Sequence, residues 1–185
     1  METEYKDVEV VNRKSSFKGK KLILRFLALT LTLIAAVVLG VDKETKTVGL
    51  TLVTTLPPVP VPVTAKWKYL SAFVYFVVAN AISCVYAAMS LILILTSRNA
   101  SKLVSMTIFI LDLAMVALLF SAIGATGSVG LIGYQGNSHV QWDKVCNVFD
   151  KFCHQVAIAA FMSFAGSITF LLLIVFTALS LHKKS

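Results

Sequence analysis

The chain has 185 residues, of which 57% are hydrophobic and 14% charged, against about 45–50% and about 25% in soluble globular domains. That excludes an ordinary soluble domain, and the polar segments are too short to hold a separate catalytic domain. The formal net charge of +8 calls for no nucleic acid, because insertion topology accounts for much of it. Attraction of a basic N-terminal segment to anionic membrane lipid, at about 1 kcal/mol per basic residue near the surface, adds to this.

A hydrocarbon core of about 30 Å is crossed by about 20 helical residues. After a basic N-terminal segment, residues 1–21, the first such stretch is 22–41, interrupted only by Arg25. Its apolar core exceeds the roughly 7–15 residues of a secretory signal, so it reads as a retained span. An outer loop, 42–69, carries all four prolines, Pro57, Pro58, Pro60 and Pro62. Proline fixes φ and removes a donor, so this loop is expected to be extended, as a stiff spacer in preference to a recognition strip. The second span is 70–96 and the third 103–124, with Asp112 inside it; a second outer loop, 125–155, precedes the fourth span, 156–181, and a tail, 182–185. The expected fold is an all-α membrane protein, a bundle of four transmembrane helices.

Lysine and arginine counts orient it. Lys6, Arg13, Lys14, Lys18, Lys20 and Lys21 precede the first span, Arg98 and Lys102 sit in the short loop, and Lys183 and Lys184 in the tail. Those segments are short and densely basic, and the two outer loops are longer and sparser. The positive-inside rule therefore places both termini in the cytoplasm. Asn99, Ala100 and Ser101 form a glycosylation acceptor on that side, which is expected to stay unmodified.

A charge at the bilayer centre costs about 2.5–3.5 kcal/mol on insertion scales. At about 1.5 Å per residue, Arg25 lies roughly 5 Å deep and Asp112 roughly 13 Å, a gap that an inward-pointing arginine spans. They are read as a buried ion pair joining the first and third spans; the alternatives are a snorkelling arginine and a proton-linked aspartate.

The third span also carries small residues at helical spacing, Ala114, Ala117, Ser121 and Gly124. In lipid, such residues let helix backbones approach closely. Glycines continue at Gly127, Gly130, Gly133 and Gly136. Each costs about 1 kcal/mol in a water-exposed helix, so either a neighbouring helix covers this face, the favoured reading, or the helix unravels near Gly130.

In the second outer loop, Trp142, Asp143, Lys144, Val145 and Cys146 are echoed by Phe149, Asp150, Lys151, Phe152 and Cys153. On a continuous helix the two cysteines would stand about 10 Å apart, beyond the roughly 7 Å Cα separation a disulfide tolerates. Helix and bridge exclude each other, and oxidising surroundings outside the cytoplasm favour a Cys146 to Cys153 bridge. A zinc site of His139, Cys146, Cys153 and His154 matches no standard ligand spacing. Trp142, Phe149 and Phe152 are candidates for recognition at the outer surface, and Cys84 is a packing residue. No catalytic constellation, cofactor motif or phosphate loop is present in the sequence.

Together, Arg25, Asp112, the stretch from Ala72 to Ala81 (Ala-Phe-Val-Tyr-Phe-Val-Val-Ala-Asn-Ala), the run Gly136, Asn137, Ser138, His139, and then Trp142, Lys144, Val145, Cys146, Phe152 and Cys153 resemble the plant Casparian strip membrane domain protein-like family, most closely its first subfamily. That family is similar in architecture to MARVEL-domain proteins. The resemblance implies a multi-pass plasma-membrane scaffold that forms homo-oligomers and hetero-oligomers with relatives, in platforms that position wall-modifying enzymes. The strip-forming members have an acidic, phenylalanine-rich first outer loop. Here it reads Thr54, Thr55, Leu56, Pro57, Pro58, Val59, Pro60, which points to a related platform instead of the strip itself. The competing class is a channel or transporter subunit, with Asn80, Ser83, Ser90 and Asp112 as the polar residues of a water path.

Overall fold

The computed structural model describes residues 2–50, 59–96, 102–136, 139 and 144–182. Pro57, Pro58, Asn99 and Trp142 lie outside them. Four helices carry the fold: α1 (Glu2–Gly40), α2 (Ser71–Thr96), α3 (Lys102–Gln135) and α4 (Asp150–His182). Each contains a segment long and apolar enough to cross a membrane: Gly19–Gly40, Ser71–Thr96, Leu103–Gln135 and Asp150–Leu179.

Neighbouring helices run antiparallel. Arg25, early in the membrane-crossing part of α1, meets Ser90, late in α2; Tyr75 of α2 reaches Ser121 of α3; Thr32 of α1 lies against Gly166 of α4. Both ends of the chain therefore point to one side of the bundle, the terminal side. Helices α1 and α3 each pack on both α2 and α4, which sets α1 and α3 diagonally opposite. One apolar cluster, with Ala28, Leu119, Phe170 and Leu173, lies toward the terminal side. The other, with Leu39, Phe73, Phe76, Phe149 and Phe152, closes the far end.

The first connection is more ordered than an extended spacer. Strands β1 (Lys43–Leu50) and β2 (Val59–Lys66) form an antiparallel hairpin, with Thr45 opposite Thr64 and Gly49 opposite Pro60. The hydroxyls of Thr45 and Thr64 meet at 3.0 Å. Pro60 and Pro62 are tolerated because a two-stranded sheet has edges where a missing N–H goes unnoticed.

Two expected boundaries move. The third span does not end at residue 124: α3 runs through Gly124, Gly127, Gly130 and Gly133 to Gln135. Residues 125–135 therefore belong to the helix and not to the outer loop. In water these glycines weaken a helix, but in hydrocarbon each unpaired backbone group costs several kcal/mol, so unravelling is the dearer option. The helix stops at Gly136, whose φ of 72° is open to glycine and whose N–H bonds Ile132 O at 2.8 Å, an αL cap. The fourth helix starts at Asp150, six residues ahead of the expected 156.

Candidate functional site

Arg25 is 2% exposed and Asp112 fully buried. The Arg25 guanidinium grips the carboxylate with both nitrogens, Nη2 to Oδ2 at 2.9 Å and Nη1 to Oδ1 at 3.3 Å, the two-pronged geometry that strengthens such pairs. Nη1 also donates to Ser90 Oγ at 2.5 Å, and Tyr86 OH donates to Asp112 Oδ1 at 2.7 Å. Phe170 of α4 closes the fourth side, its ring 6.2 Å from that of Tyr86. All four helices thus meet at one charge cluster, and a diagonal brace joins the two helices that do not otherwise adjoin. Such burial leaves no snorkelling role for Arg25.

The polar residues that would line a water path are engaged in packing. Asn80 Nδ2 donates to Phe76 O at 2.9 Å, Ser83 Oγ to Met115 Sδ at 3.6 Å, and Ser90 Oγ to Ala87 O at 2.9 Å. Apart from Asn80 Oδ1, which is buried without a partner among the described residues, these groups are spent on their own helices and neighbours and do not support a channel.

Helix α3 presents two faces. Asp112, Val116, Leu119, Ala122 and Thr126 recur at steps of four, three, three and four and are buried. Ala114, Ala117, Ser121 and Gly124 recur at steps of three, four and three, and all are exposed. The favoured expectation that a neighbouring helix covers the glycines is therefore corrected within the chain: a Cβ at Gly124, Gly127 or Gly130 would meet nothing within 4 Å. At about 100° per residue the small residues point almost opposite to Asp112, and among them Ser121 is reached from within the bundle by Tyr75 OH at 3.3 Å. The close approach is elsewhere. A Cβ on Gly166 would stand 3.2 Å from Thr32 Cγ2, so it is Gly166 that lets α1 and α4 touch.

At the hairpin end, Cys146 and Cys153 form a disulfide with Cα atoms 5.7 Å apart. It joins a single 3₁₀ turn, Val145–Asn147, to the first turn of α4; the chain bends between them, which brings the sulfurs together. That bend tucks Phe149 and Phe152 inward. Both are buried, and Phe152 lies 5.7 Å from the ring of Phe73. Neither is available to a partner, which corrects their expected recognition role.

Helix α4 begins after Phe149, a residue with no side-chain oxygen to cap it. Glu44, from β1, supplies the missing acceptor: its Oε2 receives the Phe152 N–H at 2.9 Å. Negative charge there also complements the helix dipole. Lys46 stands 3.5 Å from the other Glu44 oxygen. Beside it Asp42 is 2% exposed, and neither of its carboxylate oxygens has a hydrogen-bond partner. Burial, reinforced by repulsion from Glu44, pushes its pKa up to about 6, against the opposing pull of Lys151 and the nearby Lys43 backbone.

The Casparian strip membrane protein domain model matches residues 14–169. That span includes the charge cluster, the outward face of α3 and the disulfide. The chain belongs to the Casparian strip membrane protein family. Over 184 residues it is 56% identical to CASP-like protein 1E2 of Vitis vinifera, covering 100% of this chain and 94% of the relative. It is 57% identical to CASP-like protein 1E1 of Populus trichocarpa over 164 residues (89% and 83%) and 52% identical to CASP-like protein 1E1 of Arabidopsis thaliana over 167 residues (90% and 88%). These relatives place it in the first subfamily. No solved structure matches the chain.

Within this CASP-like framework four residues escaped the sequence reading in their structural roles: Tyr86, Glu44, Asp42 and Gly166. Tyr86 had a signal, since it precedes Ser90 by one turn on an otherwise apolar helix. Glu44 had none, because the Phe152 N–H that it accepts lies 108 residues away, and nothing in the sequence around Asp42 marks it as buried.

Proposed function

We propose that the chain is an oligomerising scaffold of the plasma membrane, with both termini in the cytoplasm, that gathers copies of itself and related family members into membrane subdomains. Such a subdomain holds wall-modifying enzymes in place, and no part of the role is catalytic. The observation that carries this reading is the outward face of α3, where Ala114, Ala117, Ser121 and Gly124 are exposed with no side chain of the same bundle over Gly124. Lipid offers no hydrophobic drive between helices, so close backbone packing of small residues supplies the association. The brace from Arg25 to Asp112 supports the role by fixing the rotation of α3, which turns that face outward.

Replacing Ala117 and Gly124 together with leucine should leave the bundle folded, since both sites are exposed, and should at least halve cross-linking between copies and the immobile fraction in fluorescence recovery. Unchanged cross-linking and recovery would remove this face from the scaffold. The orientation has its own test at Asn99, where a glycan on the native protein would invert it.

A further inference from the structure

A cavity of about 390 Å³ opens at the hairpin end between α2, α3 and α4, within the range of roughly 300–1,000 Å³ typical of small-molecule sites. Its wall is almost wholly apolar and includes Phe73, Gly127, Gly130, Cys153 and Val156. The glycines create the space: a Cβ at Gly127 or Gly130 would meet nothing within 4 Å, whereas at Gly133 it would come 3.8 Å from Cys146 Sγ. The bridge thus props the outer end open while α3 stays bare further down. Gly127 and Gly130 both lie inside Leu103–Gln135, the part of α3 long and apolar enough to cross a membrane, and Thr126 beside them bonds Ala72 O in the first turn of α2, which sets the cavity toward the outer edge of the bilayer.

The rim is charged. Lys68 stands two residues before the lining residue Leu70, Lys144 one before Val145, and Lys151 one before Phe152. All three lysines are exposed. They come from three separate segments of the chain, and Asp150 is exposed beside Lys151. Asp42 and Glu44 are the buried acids at this end. Lys43 and Lys46 are exposed and Lys66 half-buried at the same end, so cations outnumber acids there, which suits an anionic headgroup.

We propose that this cavity holds one acyl chain of an anionic phospholipid from the leaflet on the hairpin side, its phosphate among the flanking lysines. The lipid fills what the glycines leave empty and makes the hairpin end a selective contact with the bilayer. The inference stands apart from the scaffold reading, because the cavity and the small-residue face lie on different sides of α3.

The test is native mass spectrometry of the full chain, released from nanodiscs containing phosphatidylcholine or phosphatidylglycerol. The wild-type chain should retain one phosphatidylglycerol per copy and far less phosphatidylcholine. Gly130→Leu, which fills the cavity from α3, should lower retention at least tenfold without lowering cross-linking between copies. Gly124→Leu should do the reverse. Ala157→Phe fills the same cavity from α4, so a folding failure of one variant, read by circular dichroism, leaves the other to decide. Equal retention by the wild type and a folded cavity-filling variant would overturn the proposal. So would a folded Gly130→Leu chain that keeps its lipid and loses cross-linking, which would make the cavity a seat for a second copy. Equal retention of the two lipids would overturn the headgroup assignment.

Discussion

Two aspartates, one at each end of the bundle, are equally hidden from solvent and meet opposite fates. Asp112 is met by Arg25 and Tyr86, with Ser90 holding the guanidinium from the other side. Asp42 has Glu44 for a neighbour and no hydrogen bond. Desolvation is costly for both. At the terminal end that cost is offset by partners from separate helices, so burial of the charge becomes a reason for the helices to stay together. At the hairpin end Lys151 and the Lys43 backbone offset only part of it, and the carboxyl responds by holding its proton to higher pH. The hairpin end is secured by other means: the disulfide, the Phe73 and Phe152 contact, and the Glu44 cap on α4. One end is therefore specified by charge and the other by covalent and backbone bonds.

The sharpest way to break this contrast is to strand one member of the pair. Arg25→Leu or Asp112→Leu leaves an uncompensated charge in the interior, and each single change should cost about 3–5 kcal/mol. With both replaced by leucine no charge is stranded, so the double variant should recover much of the folded protein lost in Asp112→Leu. A double-mutant cycle on unfolding in detergent micelles reads this directly. Strict additivity of the single effects would mean that the two charges do not act as a unit.

A smaller effect is expected from the covalent device. Replacing Cys146 and Cys153 by serine removes a cross-link between residues seven apart in sequence, worth about 2–3 kcal/mol for so short a loop. The loss should appear at the hairpin end first, as faster amide exchange at the start of α4, with the Arg25 cluster still protected. Uniform loss of protection along the bundle would mean that the two ends are not separately held. Thiol reagents applied to intact cells should miss both cysteines without prior reduction.

How far the sequence announced this arrangement depended on the range of each interaction. The four spans were legible because apolar length is a local property, and the Arg25 and Asp112 pair because two charges in hydrocarbon have few places to go. The glycine run misled: it suggests a span ending at Gly124 and a neighbouring helix over the glycines, whereas α3 continues to Gln135 with Gly124, Gly127 and Gly130 bare. Phe149 and Phe152 looked like surface aromatics because they lie in a polar loop; their burial depends on where the disulfide bend aims them. Asp42 and Glu44 were indistinguishable from ordinary loop acids. What separates them is α4, which returns to this end more than a hundred residues later and lays its N-terminus on one of them.

The smallest expected effect is the one that tests whether Asp42 is truly unpartnered. Its pKa rises from 3.8 in the unfolded chain to about 6 in the folded one, so between those values the folded state binds more protons than the unfolded state. Stability therefore falls as pH rises through that window. The favourable contribution is complete below about 3.8 and lost above about 6. Asp42→Asn keeps the shape and abolishes the ionisation, and should raise stability by about 1 kcal/mol at neutral pH, a figure reduced from the full linkage value by screening around the exposed Lys151. That gain should shrink toward zero as the pH is lowered to about 4. Thermal unfolding in micelles from acid to neutral pH measures both quantities. A difference between variant and wild type that does not change with pH would show that Asp42 does not titrate in this window. A loss of stability at neutral pH would show that its carboxylate has a partner that matters, and the contrast between the two ends would narrow to one of degree.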